Sequence, residues 1–113
     1  MSIIITTRFK NKYLNKLIKN FSKSEFITML QKKQHTFISL HEPYFKIKSN
    51  VRDVSIRWVL VIMEDSDLIP IMLFLKKDKK YWDNVNWKDY KDLILEEFKL
   101  NIQDIKNWDY EKF

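Results

Sequence analysis

The chain has 113 residues, of which 45% are hydrophobic and 32% charged, and this composition predicts one folded domain spanning residues 1–113. The absence of cysteine and glycine excludes disulfides, zinc–thiolate sites and the glycine-rich loops that bind nucleotide phosphates, so we expect no cofactor. The net charge of +6 is localised, because residues 1–80 carry 16 Lys and Arg against 7 Asp and Glu, whereas residues 81–113 carry 5 against 8. Such a basic surface attracts polyanions, of which nucleic acid is the commonest.

The sequence predicts neither a membrane span nor a metal site. No segment approaches the roughly 18 uninterrupted apolar residues of a membrane helix, and the first residues lack the pattern of a signal peptide. The acidic turn at 64–67 lacks the spacing and the glycine of a calcium loop. We therefore expect a soluble protein, and the absence of cysteine fits a reducing compartment, so we expect it in the cytoplasm.

The first predicted elements are a short strand and a helical hairpin. The β-branched run at residues 2–9 is typical of a strand. Apolar residues then recur at helical spacing over residues 9–21 and again over residues 22–33, with lysines between them. Each helix should therefore lay one apolar face on a sheet.

A three-stranded antiparallel meander follows a predicted loop at residues 35–43. The strands are predicted at 44–49, 54–63 and 68–75, from alternating or continuous apolar residues bounded by turns. In the second strand Ile56, Trp58 and Leu60 should share one face, and Arg57 and Val59 the other. Pro70 is allowed near a strand start or at a bulge.

The tail, from about residue 86 to 113, is predicted to be helical. Trp87, Tyr90, Ile94 and Phe98 form an apolar stripe, and Asn101 is predicted to cap a second short helix. Burial of one large apolar side chain stabilises by about 1.5–3 kcal/mol and an exposed ion pair by about 0–1, so the stripe should decide how the tail packs. Residues 109–113 are expected to be dispensable. The predicted fold class is α+β: a strand, a helical hairpin, an antiparallel meander and a C-terminal helix.

This element order and three short motifs resemble the RelE branch of the RelE/ParE superfamily, the toxins of bacterial type II toxin–antitoxin systems. In that branch one strand carries an aromatic residue and Lys-x-Lys, the next opens with arginine, and the third runs into a basic cluster and a tyrosine. The likeness covers residues 3 to about 98, and it implies that the sheet brings these groups together. Leu75 departs from the family, which often has glycine there. The matching residues are Phe45, Lys46, Ile47 and Lys48, then Arg57, then Lys76, Lys77 and Tyr81.

Lysine and arginine can supply most of the chemistry that cuts RNA without a metal. The 2′-hydroxyl must be activated, the phosphorane neutralised and the leaving oxygen protonated. Lys46 and Lys48 lie two apart on a strand and project from one face, where their repulsion lowers a lysine pKa toward that of a general base. Arg57 suits a bidentate hold on the phosphate. Lys77 would stabilise the phosphate, and Tyr81 would stack on a base or donate a proton.

Further basic residues and two histidines complete the candidate set. Both histidines are acid–base candidates because imidazole titrates near neutral pH, although ordinary loop histidines are commoner. The same basic residues would also occur as solvated charges on an open sheet face. The additional RNA-binding candidates are Arg52, Lys76, Lys79 and Lys80, and the histidines are His35 and His41.

The resemblance implies a toxin that cleaves messenger RNA at the ribosome as a metal-independent endoribonuclease and is inhibited by a cognate antitoxin protein. Two alternatives remain open. A ParE-like gyrase inhibitor would keep the fold without a lysine base. A non-catalytic nucleic-acid-binding or host-inhibiting protein would use the basic face only to bind phosphates.

Overall fold

The computed structural model describes residues 2–15, 22–32, 37–51, 54–63, 67–75 and 86–113, and it confirms the predicted α+β class. A π-helical turn, Lys10–Leu14, continues the first helix. No helix among these residues is long and apolar enough to cross a membrane. The strands are β1 (Ile4–Thr6), β2 (Ile38–His41), β3 (Tyr44–Val51), β4 (Val54–Ile62), β5 (Leu68–Leu75) and β6 (Tyr110–Lys112), and the helices are α1 (Thr7–Phe9), α2 (Lys23–Lys32) and α3 (Trp87–Lys106).

The strands β2 to β5 form a four-stranded antiparallel sheet in chain order, and β1 and β6 form a separate two-stranded sheet. A parallel bridge joins Ile3 to Leu68, and the Leu68 amide donates to the Ser2 carbonyl at 2.8 Å. The β4–β5 register shifts between Val59 and Leu60, where Pro70 is the partner of Leu60, so the proline lies beside a bulge as predicted.

One sheet face carries the larger apolar core. The β4 residues Ile56, Trp58 and Leu60 are fully buried there against helices α1 and α2, which contribute Phe9 and Phe26. The rings of Phe26 and Trp58 lie 4.8 Å apart. The alternation in β4 therefore sorts its side chains between the two faces as the sequence predicted.

The other sheet face is covered by α3 over only part of its length. Ile94 is fully buried, and Trp87, Tyr90 and Phe98 pack around the same cluster as Val61 of β4. The predicted stripe therefore decides where the tail packs.

A buried carboxylate clamps α3 to the start of the chain. The Glu97 side chain is 2% exposed, and both of its oxygens accept hydrogen bonds from the Arg8 guanidinium at 3.0 Å. The Lys12 ammonium donates to the same carboxylate. Burial alone would raise the pKa of Glu97, but the hydrogen bonds from Arg8 and Lys12, together with their charges, lower it. The carboxylate therefore stays ionised and holds residues 8 and 12 against α3.

The predicted second tail helix is wrong, because α3 continues without a break through Asn101. Asparagine is common at helix N-caps, but this one lies in the helix interior, fully buried. Its amide donates to the Glu97 carbonyl at 2.7 Å, and its oxygen accepts from the Thr6 hydroxyl. The Asn101 side chain therefore links α3 to Thr6 of β1 and does not cap a helix.

Two strands lie where the sequence predicted none. Strand β2 falls in the predicted loop; it is short and mostly exposed, so it lacks the apolar run that identified β4 and β5. Strand β6 pairs with β1, and Ile3 and Phe113 exchange backbone hydrogen bonds of 2.8 and 2.9 Å. Loss of residues 109–113 would leave backbone groups of β1 unpaired, so we expect their deletion to destabilise the fold and not to be tolerated.

Helix α3 ends in a Schellman motif with a tryptophan where glycine is usual. The Asp109 amide donates to the Asp104 carbonyl at 2.8 Å, and the Trp108 amide donates to the Ile105 carbonyl at 3.1 Å. Trp108 has a φ of 60°, a left-handed conformation that costs a residue with a Cβ roughly 1–2 kcal/mol. Its side chain is 82% exposed, so burial does not offset this cost.

We expect Glu97 to make the stability of the protein depend on acidic pH. Its folded pKa lies below the ordinary value of about 4.3, so its contribution is present above that value and is lost as pH falls through the folded pKa. Glu97→Gln should lower the free energy of unfolding at pH 7 by about 1.5–3 kcal/mol and weaken the acid dependence in urea melts. Glu96→Gln, on the exposed side of α3, is the control, and equal losses for the two variants would contradict the clamp.

Replacing Trp108 by glycine should stabilise the protein. Relief of the left-handed conformation outweighs the added entropy of glycine in the unfolded chain, so the free energy of unfolding should rise by about 0.5–1 kcal/mol. Trp108→Ala keeps the Cβ and removes the same indole, so it should not stabilise. Chemical denaturation of both variants tests this, and a gain of equal size for alanine would show that the backbone conformation is not the cause.

Candidate functional site

The pairing of β3 with β4 brings the three central candidate cations onto one sheet face. Lys48 is the Cα partner of Arg57, and Lys46 is the partner of Val59. Directly paired residues share a face, as do residues two apart on one strand. Lys46, Lys48 and Arg57 therefore project together from the face that α3 partly covers, and we name them the cation cluster.

The cation cluster lies beyond the region that α3 buries. The row nearest the helix contains Tyr44, whose ring stacks on Trp87 at 5.2 Å and meets Phe98 edge-on at 5.7 Å. The next row along β3 contains Lys46, which is half-buried, and the row after it contains Lys48, which is exposed. Along β3, the side chains on this face therefore change from buried and aromatic to exposed and cationic within a few residues.

This gradient changes the proton affinity of Lys46. Burial lowers the pKa of its ammonium below the ordinary lysine value, and the positive charges of Lys48 and Arg57 lower it further. A larger fraction of Lys46 is therefore neutral near physiological pH than of an ordinary surface lysine. A neutral amine can accept a proton, which is the property that a general base needs.

One donor of Arg57 is unsatisfied among the described residues. Its half-buried guanidinium donates from Nη1 to the Ile56 carbonyl at 3.4 Å. The buried Nε finds no acceptor among the residues that the structure describes. Buried donors are usually satisfied, and an anionic oxygen is the partner that satisfies a guanidinium best.

The opposition of Lys48 and Arg57 is unfavourable for the sheet. Like charges directly across an antiparallel pair destabilise it. Neither side chain has a salt bridge within the described ranges, where the cations of the described ion pairs are Arg8, Lys12, Lys23 and Lys112. The fold thus retains a repulsive arrangement that an anion would relieve.

The remaining sequence-predicted residues cannot be placed beside the cation cluster. Strand β5 ends at Leu75, whose partner Ile56 is the neighbour of Arg57. The chain thus leaves the sheet at the cationic end. The predicted residues outside the described ranges are Arg52, Lys76, Lys77, Lys79, Lys80 and Tyr81, together with His35.

Sequence reasoning missed an aromatic stack at the other end of this face. His41 closes β2 opposite Tyr44, and its ring stacks on Trp87 with centroids 4.6 Å apart and planes 13° from parallel. The prediction had placed His41 in a loop and Trp87 in the core. The sequence did contain a signal for strand β2, because the aromatic and β-branched content of residues 37–40 is typical of a strand.

Comparisons of the chain with protein-family models, with curated proteins and with solved structures find no match. Within the described residues, no three His, Asp or Glu side chains are grouped closely enough to hold a metal ion.

Removing one charge from the cluster should stabilise the sheet and raise the pKa of Lys46. Lys48→Met ends the repulsion across the β3–β4 pair, so the free energy of unfolding should rise by about 0.2–1 kcal/mol. Side-chain NMR titration should show Lys46 holding its proton to higher pH, because one of the charges that lowers its pKa is gone.

The matched control for this variant is Lys99→Met, which removes an exposed lysine from α3 and the same net charge. It should leave the pKa of Lys46 almost unchanged. If both variants moved that pKa equally, the shift would reflect net charge and not the local cluster.

Proposed function

We propose that the protein is a RelE-like toxin and a metal-independent endoribonuclease that cleaves messenger RNA at the ribosome. The observation that carries this proposal is the cation cluster, in which three positive side chains share one open sheet face and Arg57 keeps a buried donor with no acceptor among the described residues. These are the residues that resemble the RelE motifs on β3 and β4. The proposal places the protein in the cytoplasm, with a cognate antitoxin protein as its inhibitor and no cofactor.

The cleavage reaction assigns a distinct role to each described cation. Lys46 in its neutral form takes the proton of the 2′-hydroxyl, whose oxygen then attacks the adjacent phosphorus. Arg57 holds the nonbridging phosphate oxygens through its fork of N–H groups. Lys48 neutralises the charge that builds up on the phosphorane. The bond from phosphorus to the 5′-oxygen breaks, and the products end in a 2′,3′-cyclic phosphate and a 5′-hydroxyl.

The leaving 5′-oxygen needs a proton, for which Tyr81 is the candidate donor, the alternative being that Tyr81 stacks on a base. Lys77 is assigned to the same phosphate. Both residues stay predictions, because they lie outside the described ranges. The basic residues Arg52, Lys76, Lys79 and Lys80 are proposed to hold the flanking RNA backbone through their charge.

Replacing Lys46, Lys48 and Arg57 together by alanine should abolish cleavage without unfolding the domain. General-base and phosphate-stabilising groups each contribute roughly 100-fold or more, so the loss should reach at least about 1,000-fold. The measurement is messenger RNA cleavage in a purified translation reaction, with growth arrest on expression as a second readout. Near-ultraviolet circular dichroism confirms that the variant is folded.

The charge-matched control replaces Lys88, Lys91 and Lys99, three exposed lysines of α3, by alanine. This variant also loses three positive charges, and it should retain most of the activity. A folded cluster variant that cleaves and arrests growth as the native protein does would contradict the proposed site. Salt-sensitive RNA binding without cleavage by the native protein would make the face a phosphate-binding surface only, and gyrase inhibition without cleavage would favour the ParE-like function.

A further inference from the structure

We propose that His41, supported by Trp87 and Tyr44, is a stacking platform for an unpaired base of the bound RNA. The inference rests on the proposed function, because it assumes that RNA phosphates occupy the cation cluster. The platform would be a second part of the site: it would bind a base of the RNA, whereas the cation cluster would bind the phosphate backbone.

The three rings form one continuous stack from the core to the surface. Tyr44 is 6% exposed and lies 5.2 Å from Trp87, which is half-buried at the start of α3. Trp87 in turn lies 4.6 Å from His41, with the ring planes 13° apart. His41 is exposed even though one of its ring faces lies against Trp87. The other face of the His41 ring is therefore turned toward solvent, and Trp87 and Tyr44 hold the ring in place from below.

The stack and the cation cluster share one sheet face. His41 is the partner of Tyr44, and Lys46 follows Tyr44 by two residues on β3, about 7 Å along the strand. On β2, Ile38 is the partner of Lys46 and is 47% exposed, so an apolar side chain lies beside the cationic end of this face. One nucleotide can thus place its phosphate at Lys46 and its base at the aromatic end.

Packing accounts for two of the three rings but not for the outermost one. Tyr44 is buried and Trp87 is half-buried under α3, whereas His41 is exposed. A histidine at this point adds little buried area, but a flat ring fixed by stacking can receive a base with little loss of its own freedom. Single-stranded RNA is commonly bound by aromatic stacking beside a basic surface, and the stacking tolerates any base.

The test compares a single-stranded RNA oligonucleotide with an abasic oligonucleotide of the same length, both 2′-O-methylated so that neither is cleaved. Fluorescence anisotropy measures the Kd of the full chain for each. The native protein should bind the base-bearing strand about 5- to 150-fold more tightly than the abasic strand. His41→Ala should remove most of this preference without changing the affinity for the abasic strand.

Two further variants separate stacking from charge. His41→Phe keeps a flat ring and should retain the preference. Lys48→Ala should weaken binding of both strands and reduce the slope of log K against log salt by about one, whereas His41→Ala should leave that slope unchanged.

Equal affinity of the native protein for both strands, or full retention of the preference in His41→Ala, would overturn the stacking platform and leave the cation cluster as the RNA site. Absence of binding to either strand would overturn this inference alone, because the proposed cleavage at the ribosome is tested separately in the translation reaction.

Discussion

The buried ion pair between Glu97 and Arg8 is the interaction on which the rest of the structure depends. Breaking it would leave a carboxylate inside the protein without compensation, so α3 cannot move away from the first residues of the chain. The apolar stripe fixes the other side of the helix against β3, β4 and β5. Together they hold α3 across the Tyr44 end of the sheet, and among the described residues the Lys48 end stays open. This open half of the face is thus a consequence of how the helix is anchored.

The open half carries a cost to stability that packing alone does not explain. Lys48 is the direct partner of Arg57 on the neighbouring strand, and burial together with these two charges disfavours the charged form of Lys46. Natural proteins retain such arrangements mainly where activity needs them. Helix α3 presents Trp87 to His41 on the same sheet face. The aromatic stack and the cation cluster thus lie on one face of the sheet.

Local patterns predicted the parts of the fold that depend on neighbours in sequence. The two-residue period of β3 placed Lys46 and Lys48 on one face, whereas the expectation that Arg57 lies beside them came from the family resemblance. The helical period of the tail identified its buried stripe. Contacts between distant segments were not predictable. Asn101 has the residue type of a helix cap, and only its bond to Thr6, 95 positions away, explains why it lies inside a helix. Strand β6 likewise needs β1, at the opposite end of the chain, before its pairing can be seen.

The most direct test of the account is the chemistry of the RNA ends after single-turnover cleavage, with and without one 2′-deoxy nucleotide at the cleavage position. A lysine base acting on the 2′-hydroxyl predicts a 2′,3′-cyclic phosphate and a 5′-hydroxyl, and no cleavage at the deoxy position, because the nucleophile is missing. Products with a 3′-hydroxyl and a 5′-phosphate, or undiminished cleavage of the deoxy substrate, would contradict the role given to Lys46 and its neighbours.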